Sequence, residues 1–187
     1  MLEQEVSEKD YNDFLSQGFR IVENVPKFMD DNFGEYEVID TEKDIRVPVP
    51  FEEDLITEFD FVGYVDCIIK TEDGRHHIID WKSCSWGWDA EKRSDKMVTY
   101  QLTLYKKFFC QKHDIDPKDV ETYFGLLKRT AKEDNVEIFR VTSGSRKTTN
   151  ATKTLTDACK LIHKGVKVKN RKSCAKCPFN NTEHCTR

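Results

Sequence analysis

The sequence predicts an α/β domain, a central mixed sheet flanked by helices, with a short cysteine-bearing appendage at its C-terminal end. Three observations carry that expectation. Runs rich in β-branched and aromatic residues alternate with runs of helical spacing, the pattern of strands interleaved with helices. An Asp73-Gly74 dipeptide sits between two apolar runs and reads as a hairpin turn. The 187 residues are 37% hydrophobic and 11% aromatic, enough to bury a core without disulfides and too apolar for a disordered chain.

Taken in order, residues 7–33 read as a helix, with Leu15, Phe19, Val22, Met29 and Phe33 near helical spacing and a break or kink expected at Pro26. Residues 35–49 read as a strand, a turn and a second strand. FVGYVDCIIK (61–70) and HHIIDWKS (76–83) are the two arms of the hairpin around Asp73-Gly74. Residues 96–112 form the clearest helix, since Val98, Leu102, Tyr105 and Phe109 recur at i, i+4, i+7 and i+11. Asp116-Pro117 ends it and leads into a buried strand, VETYFGLLKR, followed by NVEIFRV (135–141). The polar run 142–154 reads as a loop or the start of a helix through Leu155, Cys159 and Ile162. No internal repeat or long linker divides the chain. One domain is expected, with 1–58 as N-terminal helix and framework strands, 59–141 as the core, and 142–187 as a basic helix and cysteine tail.

Composition narrows the function classes. No run of 18 apolar residues is present and Glu3, Glu5 and Glu8 crowd the start, so neither a membrane span nor a secretory signal is expected. Seven cysteines, an odd number, argue for a reducing, cytoplasmic compartment. The net charge of −4 conceals an asymmetry: residues 1–66 sum to −14 and residues 67–187 to +10. A basic half on an acidic protein fits either a polyanion partner or a solvated charged face.

Asp66, Asp80 and Lys82 form the informative constellation. Asp80 and Lys82, two apart on a strand, share a face, and the hairpin lays the Asp66 strand alongside. Two carboxylates and an ammonium at the polar end of apolar strands are either a salt bridge or a cation site. A Mg²⁺ ion takes hard carboxylate oxygens and keeps waters that can meet phosphate oxygens, and a neighbouring lysine can orient or deprotonate such a water.

The motifs Gly63-Tyr64-Val65-Asp66, Ile78-Ile79-Asp80-Trp81-Lys82-Ser83, Tyr100-Gln101-Leu102-Thr103-Leu104-Tyr105 and Cys174…Cys177-Pro178-Phe179…Cys185 follow in that order. With this order and spacing, residues 59–187 resemble the PD-(D/E)XK nuclease superfamily. Within it they resemble the RecB-like branch of CRISPR-associated and helicase-linked exonucleases, which carries a Q-x-x-x-Y motif and a C-terminal cysteine cluster. The resemblance implies a restriction-endonuclease-like core. Asp66 and Asp80 would be ligands of Mg²⁺ or Mn²⁺ with the Trp81 carbonyl, and Lys82 would activate or position the attacking water. It also implies that Gln101 and Tyr105, four apart on one helix face, orient DNA or the lysine, against the alternative of ordinary packing and capping. Many members add an acidic residue from the first helix, for which Glu23 is the candidate here, with a solvated helix glutamate as the alternative.

Cys174-x2-Cys177-x7-Cys185 has the spacing of a metal knuckle. Iron–sulfur members of the branch pair three such cysteines with one upstream of the core, but this chain has no cysteine before Cys67. A [4Fe–4S] cluster using Cys84, Cys110 or Cys159, a zinc site with His184, and an empty cluster all stay open. Arg146, Lys147, Lys153, Lys160, Lys164, Lys167, Lys169, Arg171 and Lys172 offer phosphate contacts. Trp86 and Trp88 offer stacking platforms for unpaired bases, unless they pack into the core. The expectation is a Mg²⁺- or Mn²⁺-dependent DNA nuclease, an exonuclease acting on ends or single strands, working in bacterial or phage recombination or repair beside a helicase or recombination partner. Its rivals are a non-catalytic nucleic-acid-binding or assembly module on the same fold and a zinc-knuckle adaptor.

Overall fold

A computed structural model describes residues 6–51, 59–168 and 171–185, without the side chains of Arg171, Lys172 and Lys176. The elements run α1 (Glu8–Phe33), β1 (Tyr36–Pro48), β2 (Asp60–Thr71), β3 (His76–Cys84), α2 (Ala90–Ser94), α3 (Lys96–His113), β4 (Val120–Lys128), β5 (Val136–Arg140) and α4 (Ser145–His163). Short 3-10 turns occupy Pro117–Asp119 and Arg171–Lys176. The strands lie in the order β1-β2-β3-β4-β5. β1, β2 and β3 form an antiparallel meander, β3 and β4 are parallel, and β5 returns antiparallel to β4. The sheet is therefore mixed. The β3–β4 step is a parallel crossover, and such a connection needs the length that α3 supplies.

Strand alternation splits the core into two layers. Ile68, Ile78, Phe124 and Leu126 point to one face, where they pack with Leu102, Tyr105 and Phe108 of α3 and, at its margin, Leu155 of α4. Cys67, Ile69, Ile79 and Tyr123 point to the other, where Val25, Met29 and Phe33 of α1 cover them. Both faces are clad, which is why the β2 and β3 sequences read as nearly continuous apolar runs.

Two local expectations are corrected. α1 runs unbroken through Pro26. The proline is exposed, as is Val22, whose carbonyl the missing N–H leaves unpaired, so water can satisfy it while Val25, Met29 and Phe33 hold the helix to the sheet. Residues 35–49 form one long strand, not two around a turn. A register shift between Val38 and Asp40 and a positive φ of 51° at Glu42 absorb the polar stretch, and Asp40 holds it through Thr41 N–H at 2.9 Å and Lys43 Nζ at 2.6 Å. The hairpin turn is as expected: Gly74 has φ 83°, and its N–H donates to the Thr71 carbonyl at 2.9 Å. The polar run after Val141 enters α4 at once, from a Gly144 N-cap.

Candidate active site

The β2–β3 ladder runs from Lys70↔His76 to Cys67↔Ile79 and stops there. β3 stays paired to β4 as far as Cys84↔Lys128, so beyond Ile79 it follows β4 and parts from β2. Asp66 and Asp80 are the first residues past the fork. Asp66 Oδ2 accepts the Trp81 backbone N–H at 2.7 Å, a side-chain bond that replaces the lost ladder. Within a strand, a residue's N–H and C=O address the same edge, so the Trp81 carbonyl also faces the opening.

Asp80 is 1% exposed. Lys82, two residues on and on the same face, places Nζ 2.6 Å from Asp80 Oδ2. The approach lies off the direction of a hydrogen bond, and Oδ2 has no directed donor. Burial raises the Asp80 carboxyl above the usual carboxylate range; Lys82 opposes this, and the nearby charge of Asp66 adds to it. A buried carboxylate met by the Lys82 ammonium, a second carboxylate at the mouth of the same fork and a carbonyl on the same edge make a hard-oxygen donor set that fits Mg²⁺ or Mn²⁺. The fit is to a cation held by few protein ligands. Among the described residues, no group of three or more His, Cys, Asp or Glu side chains is arranged to hold a metal.

α3 forms the lid over this face. Gln101 Nε2 donates to the Tyr105 hydroxyl at 3.1 Å, as their one-turn spacing allows. Tyr105 is 8% exposed and packs edge-on to Phe61, so it is both core and polar. One edge of its ring lies over Gly63, where an added Cβ would stand 2.5 Å from Tyr105 Cε1. On the opposite face, the Trp81 ring occupies the space above Gly125, and any Cβ there would overlap it. Gly63 and Gly125 are positioning residues the sequence reading missed. The available signal was a glycine inside a strand, which marks close approach of another group.

The other candidates separate. Glu23 is exposed on the far side of α1 from the Ile21–Val25–Met29 stripe and does not join Asp66 and Asp80. Trp86 is 74% exposed in the loop after β3. Trp88 is corrected: it is 8% exposed, with its ring 5.0 Å from Phe124, and it belongs to the core. Lys92 covers its ring, and Arg93 Nε donates to its carbonyl at 2.8 Å. Lys147 donates to the Thr142 carbonyl at 3.1 Å, and Lys153 is paired with Asp157 at 2.6 Å. Lys153 and Lys160 line a cleft with Lys107, Thr148, Thr152 and Pro50. Lys164 and Lys167 are exposed, Lys169 lies outside the described residues, and Arg171 is described only in its backbone.

Cys174 and Cys177 share a turn, closed by Cys177 N–H on the Cys174 carbonyl at 3.1 Å, but the structure does not gather Cys174, Cys177 and Cys185 into a metal-holding set. Cys110 and Cys159 are buried in the α3 and α4 packing, and burial pushes the Cys110 thiol up to about 11. Cys67 is likewise raised to about 11, so neither of these two is a ready thiolate.

No curated protein matches this chain in sequence. A solved structure described as the crystal structure of SSO0001 aligns with a TM-score of 0.49 at 14% identity, over 87% of this chain and 66% of that one. The family model of the PD-(D/E)XK nuclease superfamily matches residues 5–182, which include the β2–β3 fork, its Asp66, Asp80 and Lys82, and the Gln101 helix. On that match, the chain belongs to the PD-(D/E)XK nuclease superfamily.

Proposed function

We propose that this chain is a Mg²⁺- or Mn²⁺-dependent deoxyribonuclease of the RecB-like branch, acting as an exonuclease on DNA ends or single strands. The observation that carries the reading is the forked hairpin. It sets a buried carboxyl (Asp80), a second carboxyl (Asp66) and a part-exposed ammonium (Lys82) at one opening.

In this reading Asp66, Asp80 and the Trp81 carbonyl hold the cation. The bound cation supplies Lewis-acid stabilisation of charge on the scissile phosphate and a more acidic water. Lys82 orients the attacking water and receives or returns its proton. Lys82, part-exposed at the same opening, would also meet the substrate. Gln101, fixed by the Tyr105 hydroxyl, holds a phosphate or the lysine in register. Trp86 stacks on an unpaired base, and the cleft with Lys107, Lys153 and Lys160 tracks the backbone without reading sequence. A partner that opens duplex DNA, a helicase or recombination protein, would feed such a site. Any ion at Cys174, Cys177 and Cys185 would tie the tail down and would stand apart from the chemistry.

The test is direct binding and cleavage. Mn²⁺ titration followed by electron paramagnetic resonance should show a site lost in Asp80→Asn and weakened in Asp66→Asn. End-labelled DNA should lose its label in small products only when the ion is added. Unchanged Mn²⁺ binding in both variants would contradict the assignment of the ligands.

A further inference from the structure

α3 and α4 pack against each other, and the seam between them is open on its outer side. Three hollows of about 420, 540 and 560 Å³ follow one another along it. The first and second share Lys106, Ser143 and Ser145, and the second and third share Lys107, Thr148 and Thr149, so they form one groove. Its α4 wall, from Ser145 to Lys160, is about 22 Å long. One end lies at Val120, Glu121 and Arg140, where the β3–β4 ladder begins. The other lies at Pro50 and Phe51, just after the β1–β2 pairing that runs on past the fork. The groove thus leads from the far end of the sheet to the fork end, along the helix that carries Gln101 and Tyr105.

Its charges are unbalanced. The carboxylates on its walls are already taken, Glu121 by Arg140 at 2.7 Å and Asp157 by Lys153 at 2.6 Å. Lys106, Lys107 and Lys160 are partly buried, and among the described residues none of them meets a carboxylate. Burial is the first cause holding the Lys106 pKa below its ordinary value. A partly desolvated ammonium without a counter-charge is stabilised by an anion arriving from outside. The exposed Ser145 and Thr149 add hydroxyls that can donate to phosphate oxygens. Packed helices stand about 8–10 Å apart, axis to axis, so the seam takes one strand lengthwise and not a duplex.

We propose that this seam binds a single DNA strand by its phosphates, through Lys106, Lys107 and Lys160, and leads it to the fork. The choice of DNA as ligand rests on the nuclease reading, whereas the groove rests on the hollows and their unpaired cations.

Fluorescence anisotropy of end-labelled single strands, in EDTA so that no cleavage intervenes, tests it. A strand of about 16 nucleotides should bind roughly tenfold or more tighter than one of about 4. Lys106→Gln/Lys107→Gln/Lys160→Gln should flatten the slope of log affinity against log salt by about 2, the share of three phosphates on a single strand. Lys9→Gln/Lys27→Gln/Lys132→Gln removes the same charge elsewhere and should leave the slope unchanged. Thr149→Glu keeps every lysine and replaces an exposed side chain where two hollows meet, so it stands in should the triple variant unfold. It should weaken binding of the long strand by roughly tenfold. Equal binding of short and long strands, an affinity that Thr149→Glu leaves unchanged, or displacement of the strand by polyglutamate as readily as by unlabelled DNA would each overturn the inference. Binding that meets these expectations, with no cleavage once Mg²⁺ or Mn²⁺ is added, would sustain the groove and refute the nuclease reading.

Discussion

At the scale of single residues, Asp80 is a carboxyl group held where its charge is disfavoured. Its folded-state pKa is raised above the unfolded value, so the native state holds the proton more tightly and stability from this group is lost as pH rises through that range. Asp80→Asn should therefore stabilise the cation-free protein at neutral pH while abolishing cleavage; calorimetry beside an activity assay checks both. A variant less stable than wild type at neutral pH would mean that the Lys82 ion pair, not burial, dominates. Gly125→Ala should cost about 1–3 kcal/mol through overlap with the Trp81 ring, read from the denaturation midpoint. The carboxylates and lysine were legible because strand alternation fixes which residues share a face. Gly63 and Gly125 were not, because their role is set by rings from elsewhere in the chain.

Among the elements, the loop after β3 separates two indoles that the sequence presents as equivalent. Trp88→Ala should destabilise the fold by about 3–5 kcal/mol, as loss of a buried aromatic does. Trp86→Ala should leave stability within about 0.5 kcal/mol and weaken binding of single-stranded DNA by roughly 1–3 kcal/mol, measured by fluorescence anisotropy. Equal effects on both quantities would mean the loop rearranges. Nothing in SCSWGWD says which indole goes inward. That is decided by Phe124 and Phe139 on β4 and β5, too far along the chain for local pattern to reach. The hairpin and α3 were legible because turn chemistry and helical periodicity are local. Continuous α1 and the single long β1 were not, since packing against the sheet overrode a proline and a polar turn-like run.

For the whole molecule, the sheet has a second polar end. His77 is buried between Phe33 and Tyr123, accepts or donates at Thr71 Oγ1 at 2.9 Å, and is held below its ordinary pKa first by burial. His76 and His113 are lowered for the same leading reason. A depressed folded pKa means the unfolded chain binds more protons, so stability present above about pH 6.5 is lost as pH falls through the folded values. The melting temperature should drop on acidification below that point, and His77→Gln should flatten the drop. An unchanged slope would place the titration elsewhere. The −14/+10 charge division, legible from composition alone, corresponds to acidic α1 and β1 against a basic α4 and tail. The central claim is that this fork is the reaction centre. Single-turnover cleavage of end-labelled single- and double-stranded DNA, with Mg²⁺ or Mn²⁺, by wild type, Lys82→Ala and Asp66→Asn tests it most directly. Wild type should cleave only with the ion, and each variant should lose roughly 100-fold or more of the rate with folding intact. Cleavage by both variants at the wild-type rate, or by wild type without any divalent ion, would contradict it.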